Sequence, residues 1–427
     1  MQKFSDFLIY TAFTPFSKRS NFLKELKSRG VIYNSTSLEG LEKLLDFGLG
    51  IYVGFDLTAN SLHWGHYLLL SVLNRATQYQ IPTVIILGDF TTPIGDASWK
   101  ADERRFLTPK ERENNLKYIQ SQLKRLVPDA EIVLNSQFYS SFSISFLAEL
   151  LPLFNVSTLL AKDFLKLRLQ QETLNMKDVF YPALQSYDFY CLAKNKGIGI
   201  QVGGQDQWGN ITTGIEFIRR KQENLQVGGF TIPLLTDSSG VKFGKSTKGA
   251  LFLDNFLSPE YKVFQYFWNL SDLQLRNLAN FVFSISQEEL ELPPQELKPR
   301  VIKELFSQVY SLEKFERVSK ISDWLFDSKR FIESSQWTKE ELKLLMEEIP
   351  SYSSAESMNL SGILIQLGLS KSHSESKRLV EQEKCIFCFG KKLTNHKEKL
   401  DNSLSRYFYF LIRKGEKEFG IFRLIIH

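Results

Sequence analysis

Apolar residues recur at helical spacing through Phe22–Arg29 and again around Leu38–Leu45, with a turn at Gly30 between them. The pattern changes to a short β-rich run at Ile51–Phe55. It returns to helical spacing over Trp64–Tyr79, then becomes a continuous apolar run, Thr83–Leu87, that stops at Gly88-Asp89. Strand, helix and strand at this spacing make a βαβ unit, which predicts an α/β protein with a buried parallel sheet. In such sheets ligands bind outside the carboxyl ends of the strands, so chemistry is expected just past Phe55 and Leu87. Residues 105–180 read as mainly helical, with Glu111–Leu126 strongly amphipathic. A helix over Tyr181–Asn195 leads into the glycine-rich stretch Gly197–Gly204. From Asn255 to about Glu348 the pattern is helical throughout. The Pro- and Ser-rich stretch at 350–357 then reads as a linker, succeeded by a basic helix pair and short strands ending in Phe419–Ile426. No internal repeat is present.

Composition narrows the class. The chain has 427 residues, 43% hydrophobic and 24% charged, enough for several domains at roughly 100–200 residues each. No run approaches the roughly 18 apolar residues of a membrane span; the nearest, Phe146–Phe154, is broken by Glu149. An aromatic content of 13% excludes disorder as the main state. Three cysteines cannot build a disulfide framework, which favours a reducing compartment. A net charge of +5 permits nucleic acid without requiring it. Residues 1–20 carry Lys3, Lys18 and Arg19 against Asp6, and read as a loosely docked extension more than as an organellar address.

Two of the five histidines lie in His63-Trp64-Gly65-His66, at the start of a predicted helix just past the first strand. A helix N-terminus offers N–H groups and a positive dipole end that suit a phosphate. Imidazoles add donors that track charge onto phosphate oxygens, and Gly65 lets the backbone approach a nucleotide. The plainer alternative is that one histidine caps the helix and the other packs. Far along the chain, Lys242-Phe243-Gly244-Lys245-Ser246 comes after a turn at 237–240 and gives a cationic loop able to close over a triphosphate, or else a solvated turn. Tyr181, Gln185 and Asp188 fall at i, i+4 and i+7 and share one helix face, with Pro182 expected in the first turn and Tyr181 at its mouth. Cys385 and Cys388 form a lone C-x-x-C with only His396 nearby, too few ligands for a structural zinc site, so no metal is expected there.

The sequence resembles the class I aminoacyl-tRNA synthetases, and the tyrosyl-tRNA synthetase family in particular. The segments that carry this are Tyr52–His66, Ile94–Asp96, Tyr181–Asp188, Gln201–Asn210 and Lys242–Ser246, in family order, across most of residues 22–427. The resemblance implies that Thr58 and His63 hold the γ-phosphate of ATP, with His66 near the ribose and Asp206 on the ribose hydroxyls. It implies that Lys242, Lys245 and Ser246, with Lys100 and Arg104, clamp the departing pyrophosphate, and that Gly54, Asp56, Gly65 and Gly204 line the ATP site. Asp96, Tyr181 and Gln185 would take the substrate ammonium group, Gln207 would lie near the reacting carboxyl, and Tyr52 and Asp188 would read the phenol hydroxyl. Val53, Leu57, Ala97, Trp99 and Gln205 depart from the family pattern without removing a charged group. The C-terminal stretch resembles the small RNA-binding module of bacterial-type members, in which Lys371, Lys377 and Arg378 would meet RNA phosphates.

The resemblance implies an α/β protein with a Rossmann-like catalytic domain over 21–254 carrying a helical dimerisation insert. An α-helical anticodon-side domain is expected over 255–348, a linker over 349–358 and an RNA-binding domain over 359–427. Such a protein would be a homodimeric tyrosine–tRNA ligase using ATP with Mg2+, L-tyrosine and tRNA(Tyr), with no membrane role. It would be cytoplasmic, or alternatively of the mitochondrial matrix. A non-catalytic RNA-binding relative is the rival reading, although a binding protein has no need of both histidines and both lysines. A small-molecule nucleotidyltransferase would leave the C-terminal stretch unexplained.

Overall fold

The computed structural model describes residues 19–96, 107–222, 224–236, 245–246, 249–400 and 402–425, with backbone alone at 245, 246, 249 and 402. Residues 1–18 and the expected site residues Lys100, Arg104 and Lys242, with Ala97 and Trp99, lie outside the described residues.

The chain forms two compact units. The first runs to Leu253 and takes back Ser271–Leu297; the second comprises Asp254–Leu270 and Lys298–His427. In the first unit six strands form one sheet: β1 (Asn34–Ser35), β2 (Gly50–Phe55), β3 (Thr83–Leu87), β4 (Glu131–Leu134), β5 (Ile198–Gly204) and β6 (Gly228–Ile232). Their order is β1-β6-β5-β2-β3-β4, parallel except for the β1–β6 edge pair. Every residue of β3 is buried, as a strand covered on both faces requires. From β2 the chain winds outward through β3 to β4. It then returns to build β5 and β6 on the other side, so the order reverses between β2 and β5. A crevice outside the carboxyl ends opens at that reversal.

Up to Leu253 the α-helices of this unit are α1 (Ser20–Ser28), α2 (Leu38–Asp46), α3 (Trp64–Gln78), α4 (Pro109–Leu126), α5 (Ile144–Leu150), α6 (Val156–Leu160), α7 (Asp163–Gln170), α8 (Met176–Lys196) and α9 (Trp208–Lys221), and the returning Ser271–Leu297 adds Asp272–Ala279 and Gln287–Leu290. Two sequence expectations are corrected here. The 105–180 region contains β4, a short edge strand whose Glu131 reaches solvent and hides its pattern. The helix expected from Tyr181 begins at Met176, where Asn175 and Asp178 form a reciprocal cap, so Pro182 lies inside the helix rather than in its first turn. Its end is as the sequence suggests: Gly197 adopts φ +67, the left-handed cap that glycine accepts without strain. A two-stranded hairpin, β7 (Lys245–Ser246) with β8 (Gly249–Ala250), completes the unit.

The second unit combines helices, among them Glu260–Trp268, Leu312–Phe326, Ser328–Ile332 and Lys339–Glu348, with a five-stranded sheet. That sheet is formed by β9 (Ser351–Ser354), β10 (Ile386–Cys388), β11 (Lys391–Lys392), β12 (Tyr409–Lys414) and β13 (Glu418–Leu424), in the order β11-β10-β12-β13-β9. The segment 349–358, expected as a linker, thus holds an edge strand that pairs in parallel with Ile421–Leu424. Its alternating exposure explains the polar composition that imitates a linker. The sheet packs on the helices through Phe419, whose ring lies 5.4 Å from Phe326 and 5.9 Å from Phe331. Helical and C-terminal stretches therefore belong to one compact unit, while residues 271–297, expected in the helical domain, join the first. Between β10 and β11, Phe389 and Gly390 both take positive φ, the tight-hairpin geometry. A Cβ at Gly390 would come 2.8 Å from Ile332 Cα.

Candidate active site

Strand β2 delivers Asp56 and Thr58 to the crevice, and α3 starts a few residues later. His63 is the N-cap of α3. Its Nδ1 accepts the His66 backbone N–H at 3.1 Å, while His66 Nδ1 accepts the His63 backbone N–H at 3.4 Å. The two rings stack 3.5 Å apart, and His66 also meets the edge of Phe55 at 5.1 Å. Burial, and then the neighbouring His63, hold the His66 imidazole well below its usual range. Because each Nδ1 acts as an acceptor, a neutral ring must carry its proton on Nε2. The reciprocal cap thus fixes two Nε2–H donors. The helix N-terminus itself is less open than the sequence suggests, since Trp64 N–H binds Leu251 O at 3.0 Å and His66 N–H also reaches His63 O at 2.8 Å. The Trp64 bond has a second consequence. With Leu253 N–H on Leu62 O at 2.8 Å and the His63–Phe252 bridge, it fastens the chain leaving the β7–β8 hairpin against the histidine motif. The Lys242–Ser246 motif is distant in sequence, yet its described end, the Lys245–Ser246 backbone, opens the hairpin whose exit chain pairs with the first motif.

Deeper in the crevice the polar side chains gather around two carboxyl groups, Asp56 and Asp96. Tyr181 donates to Asp56 Oδ2 at 3.0 Å, and Thr91 donates to Asp56 Oδ1 at 3.2 Å. A side chain at Gly88 would collide with both Asp56 and Thr91, so the close approach there needs glycine. Gln207, on the turn after β5, donates to Asp96 Oδ2 at 2.6 Å, and Asn210 donates to Asp96 Oδ1 at 3.3 Å. Gln185 closes the set on Gln207 Oε1 at 3.3 Å. Asp56 is pushed up to about 7 by burial and then by the charge of Asp96, against the donors Tyr181, Thr91 and Thr92. Two mutually repelling carboxyl groups in an enclosed site suit a cation between or beside them. Gln207 thus links Asp96 to Gln185, while the Tyr181 hydroxyl pairs with Asp56.

Asp188, one helical turn beyond Gln185, is buried. Its Oδ2 accepts from Asn135 Nδ2 at 3.0 Å and its Oδ1 from the Tyr139 hydroxyl at 2.8 Å. Burial pushes Asp188 up to about 8, against the pull of Asn135 and Tyr139. On strand β2 Tyr52 is buried, its hydroxyl has no hydrogen-bond partner among the described residues, and burial and then Asp188 raise its pKa well above the usual value. Gln201 of β5, paired in register with Tyr52, has a buried Oε1 that also lacks a partner among the described residues. Sequence reasoning missed Asn135, Tyr139, Thr91 and Asn210. The first two lie outside every recognised motif, and only the distance to Asp188 identifies them.

The other expected residues have simpler surroundings. Asp206 is half-buried on the turn after β5, Gly204 ends that strand, Thr58 is exposed past β2, and Gly54 is an exposed position within it. Lys371, Lys377 and Arg378 are exposed in the second unit, where Arg378 pairs with Glu383 at 3.3 Å. Cys388 is buried in β10 and Cys385 is half-buried beside it. Among the described residues no group of three His, Cys, Asp or Glu could hold a metal ion, and no helix is long and apolar enough to cross a membrane.

Comparison with known proteins gives a consistent picture. A family model described as tRNA synthetases class I (W and Y) matches residues 48–324. A tyrosine–tRNA ligase of Mycoplasma mobile is 34% identical over 417 residues, 95% of this chain and 99% of that one. One from Ureaplasma parvum serovar 3 is 37% identical over 343 residues, 78% of this chain and 81% of that one. Among solved structures, a C-terminally truncated Aspergillus nidulans mitochondrial tyrosyl-tRNA synthetase has a TM-score of 0.63 at 23% identity, covering 71% of this chain and 94% of that one, which is a likeness of fold.

Proposed function

The chain belongs to the class I tRNA synthetases of the tryptophan and tyrosine group, and from that premise we propose that its polar crevice selects tyrosine at Asp188 and activates it beside the histidine pair. The activity is that of a tyrosine–tRNA ligase: L-tyrosine and ATP give tyrosyl-adenylate and diphosphate, and tyrosine then passes to the 3′-terminal adenosine of tRNA(Tyr). The observation that carries the assignment of the pocket is the Tyr52 hydroxyl, buried beside Asp188 without a partner among the described residues. A phenol hydroxyl arriving there pairs with both Tyr52 and Asp188, whereas phenylalanine leaves the Tyr52 hydroxyl desolvated and Asp188 without that donor. The ammonium group of the substrate goes to the Asp56–Asp96 region, where a positive charge offsets the burial, and then the charge of Asp96, that raise Asp56.

The first step needs no general base, because the substrate carboxylate is already ionised when it attacks the α-phosphate. The chain must supply alignment and stabilisation of charge that moves onto phosphate oxygens. Fixed Nε2–H donors on His63 and His66 suit that task, with Thr58 beside His63 on the γ-phosphate. Asp206 serves the ribose, with Gly54, Gly65 and Gly204 admitting the nucleotide. Lys100, Arg104, Lys242, Lys245 and Ser246 hold the departing diphosphate. Gln207, already oriented by Asp96, lies near the reacting carboxyl. Mg2+ enters as a companion of the ATP phosphates and is part of the substrate; the described residues offer no metal-binding cluster of their own.

Three further assignments rest on composition and surface. Ile144, Leu151, Val156, Leu167 and Leu169 are exposed apolar side chains in 144–170, and support a homodimer formed around Phe146–Leu167. The exposed cations Lys371, Lys377 and Arg378 support tRNA contact by the second unit. The bacterial relatives support a cytoplasmic enzyme. The deciding experiment is tyrosine-dependent exchange of labelled diphosphate into ATP. Folded protein that shows no stimulation by tyrosine would sink the reading.

A further inference from the structure

We propose that Tyr139 is a positioning residue that, with Asn135, holds Asp188 as the acceptor for the substrate phenol and so sets part of the preference for tyrosine over phenylalanine. This rests on the assignment of Asp188 to the phenol.

The local geometry is fully specified. Asn135–Phe138 forms a single tight turn after β4, and Tyr139 comes next as its cap, with its N–H on Ser136 O at 3.1 Å. Asn135 cannot rotate freely, because its Oδ1 accepts the Phe90 N–H at 2.9 Å while its Nδ2 faces Asp188. The Tyr139 ring stacks on Phe90 at 4.2 Å and 10°, which fixes the hydroxyl at 2.8 Å from Asp188 Oδ1 and 2.9 Å from Leu184 O. A hydroxyl has one proton to give. Leu184 lies within a helix, where its carbonyl already has the N–H four residues on, so the carboxyl oxygen is the acceptor in need and the stronger one when ionised. With one donor on each oxygen, Asp188 keeps a lone pair on each for an incoming O–H.

The surroundings make these donors decisive. Asp188 is faced by Tyr52 from β2, Asp56 past β2, Asp89 past β3, and Tyr181, Tyr187 and Cys191 on its own helix. Burial and the two acids, Asp56 and Asp89, disfavour its charge; Asn135 and Tyr139 favour it. Losing the Tyr139 hydroxyl therefore shifts Asp188 further toward the acid, whose own proton then competes with the substrate's.

The test compares Tyr139→Phe with the unaltered full-length enzyme in diphosphate exchange, using tyrosine and phenylalanine from about pH 6 to 9. Tyr139→Phe keeps the ring on Phe90 and removes one oxygen. The expected result is a loss of roughly tenfold in kcat/KM for tyrosine at neutral pH, the size of one hydrogen bond to a charged acceptor. The value for phenylalanine should be unchanged, and the acid limb of the tyrosine profile should move to higher pH. Equal losses for both substrates with an unmoved profile, or an undiminished preference, overturn the proposal. Should Tyr139→Phe not fold, Tyr139→His, which returns a ring donor, is expected to keep most of the preference, and full loss overturns. Asp188→Asn separates the two levels. If it keeps the full tyrosine preference, the phenol assignment itself is wrong. If it loses the preference while Tyr139→Phe does not, only the role of Tyr139 falls.

Discussion

Tyr52 and Asp188 are polar groups buried at a cost to the fold, and in the proposed site that cost would be the source of selectivity. The Tyr52 hydroxyl is buried with no partner among the described residues, so Tyr52→Phe should leave the ligand-free protein as stable as before or slightly more so. The same change should lower kcat/KM for tyrosine by about 0.5–1.5 kcal/mol, the range of a neutral hydrogen bond. Asp188→Ala should remove most of the preference together with most of the rate. Ratios of kcat/KM for tyrosine and phenylalanine check both, and a strong surviving preference in Asp188→Ala would mean that another residue meets the phenol. The acids also make a stability prediction. Burial raises Asp188 from 3.8 to about 8 and Asp56 from 3.8 to about 7. The folded state then binds protons that the unfolded chain has released, so ligand-free stability is greatest below the unfolded value and falls as pH rises through 7 and 8. His66, held below its usual 6.5, works the other way, and its contribution fades as pH drops below that value. Thermal unfolding without ligand should show a Tm that falls from pH 6 toward 9, with a shallower slope in Asp188→Asn. Equal slopes would contradict the burial argument. Asp188 and Tyr52 are legible in the sequence because the motifs contain them. Asn135 and Tyr139 are not, because a contact made across about fifty residues leaves no periodicity to read.

Elements explain which parts of the site the sequence could reveal. The i, i+4, i+7 spacing of Tyr181, Gln185 and Asp188 is readable at once, since helical geometry alone puts them on one face. The start of that helix is not. Pro182 resembles a first-turn proline, and the true signal, Asn175 with Asp178 three residues on, lies further back. Strand β4 escapes notice because four residues with a charged end carry too little pattern. The histidine motif shows an element doing two jobs. His63 caps α3 and also presents an Nε2–H, and these roles can be separated by substitution. His63→Asn keeps a good N-cap acceptor but shortens the donor, so its Tm should stay close to that of the parent while adenylate formation slows about a hundredfold. His63→Ala should lose rate and, in addition, about 1 kcal/mol of stability. Burst measurements of adenylate set beside thermal melts decide it. A His63→Asn protein with normal rate would show that the ring matters only as a cap.

At the scale of the whole chain, the alternation of strand and helix is enough to anticipate a parallel sheet and the crevice at its carboxyl ends. The division into units is not legible in the same way, because a polar edge strand and a polar linker have the same composition. Only the pairing of Ser351–Ser354 with Ile421–Leu424 distinguishes them. This changes how RNA contact must be tested. Ending the chain before Ser351 removes the sheet that covers Phe326 and Phe331, and with it the Arg413 guanidinium 4.5 Å over the Phe331 ring. Such a truncation should destabilise the remaining helices of the second unit, so a loss of tRNA charging in it would report unfolding as much as lost contacts. Charge removal is the cleaner experiment. Lys371, Lys377 and Arg378 are exposed, so changing all three to Ala disturbs little packing. Each cation that meets a phosphate contributes about 0.7–0.9 to the dependence of log K on log salt, so losing three should reduce the slope by roughly 2 to 3. Arg378 is shared with Glu383, which places the expected change at the lower end. Tyrosine-dependent diphosphate exchange, which needs no tRNA, should stay at the parent rate in the same variant. A salt slope for tRNA binding that does not move would show that the second unit meets tRNA through other residues, or that this face does not meet it at all.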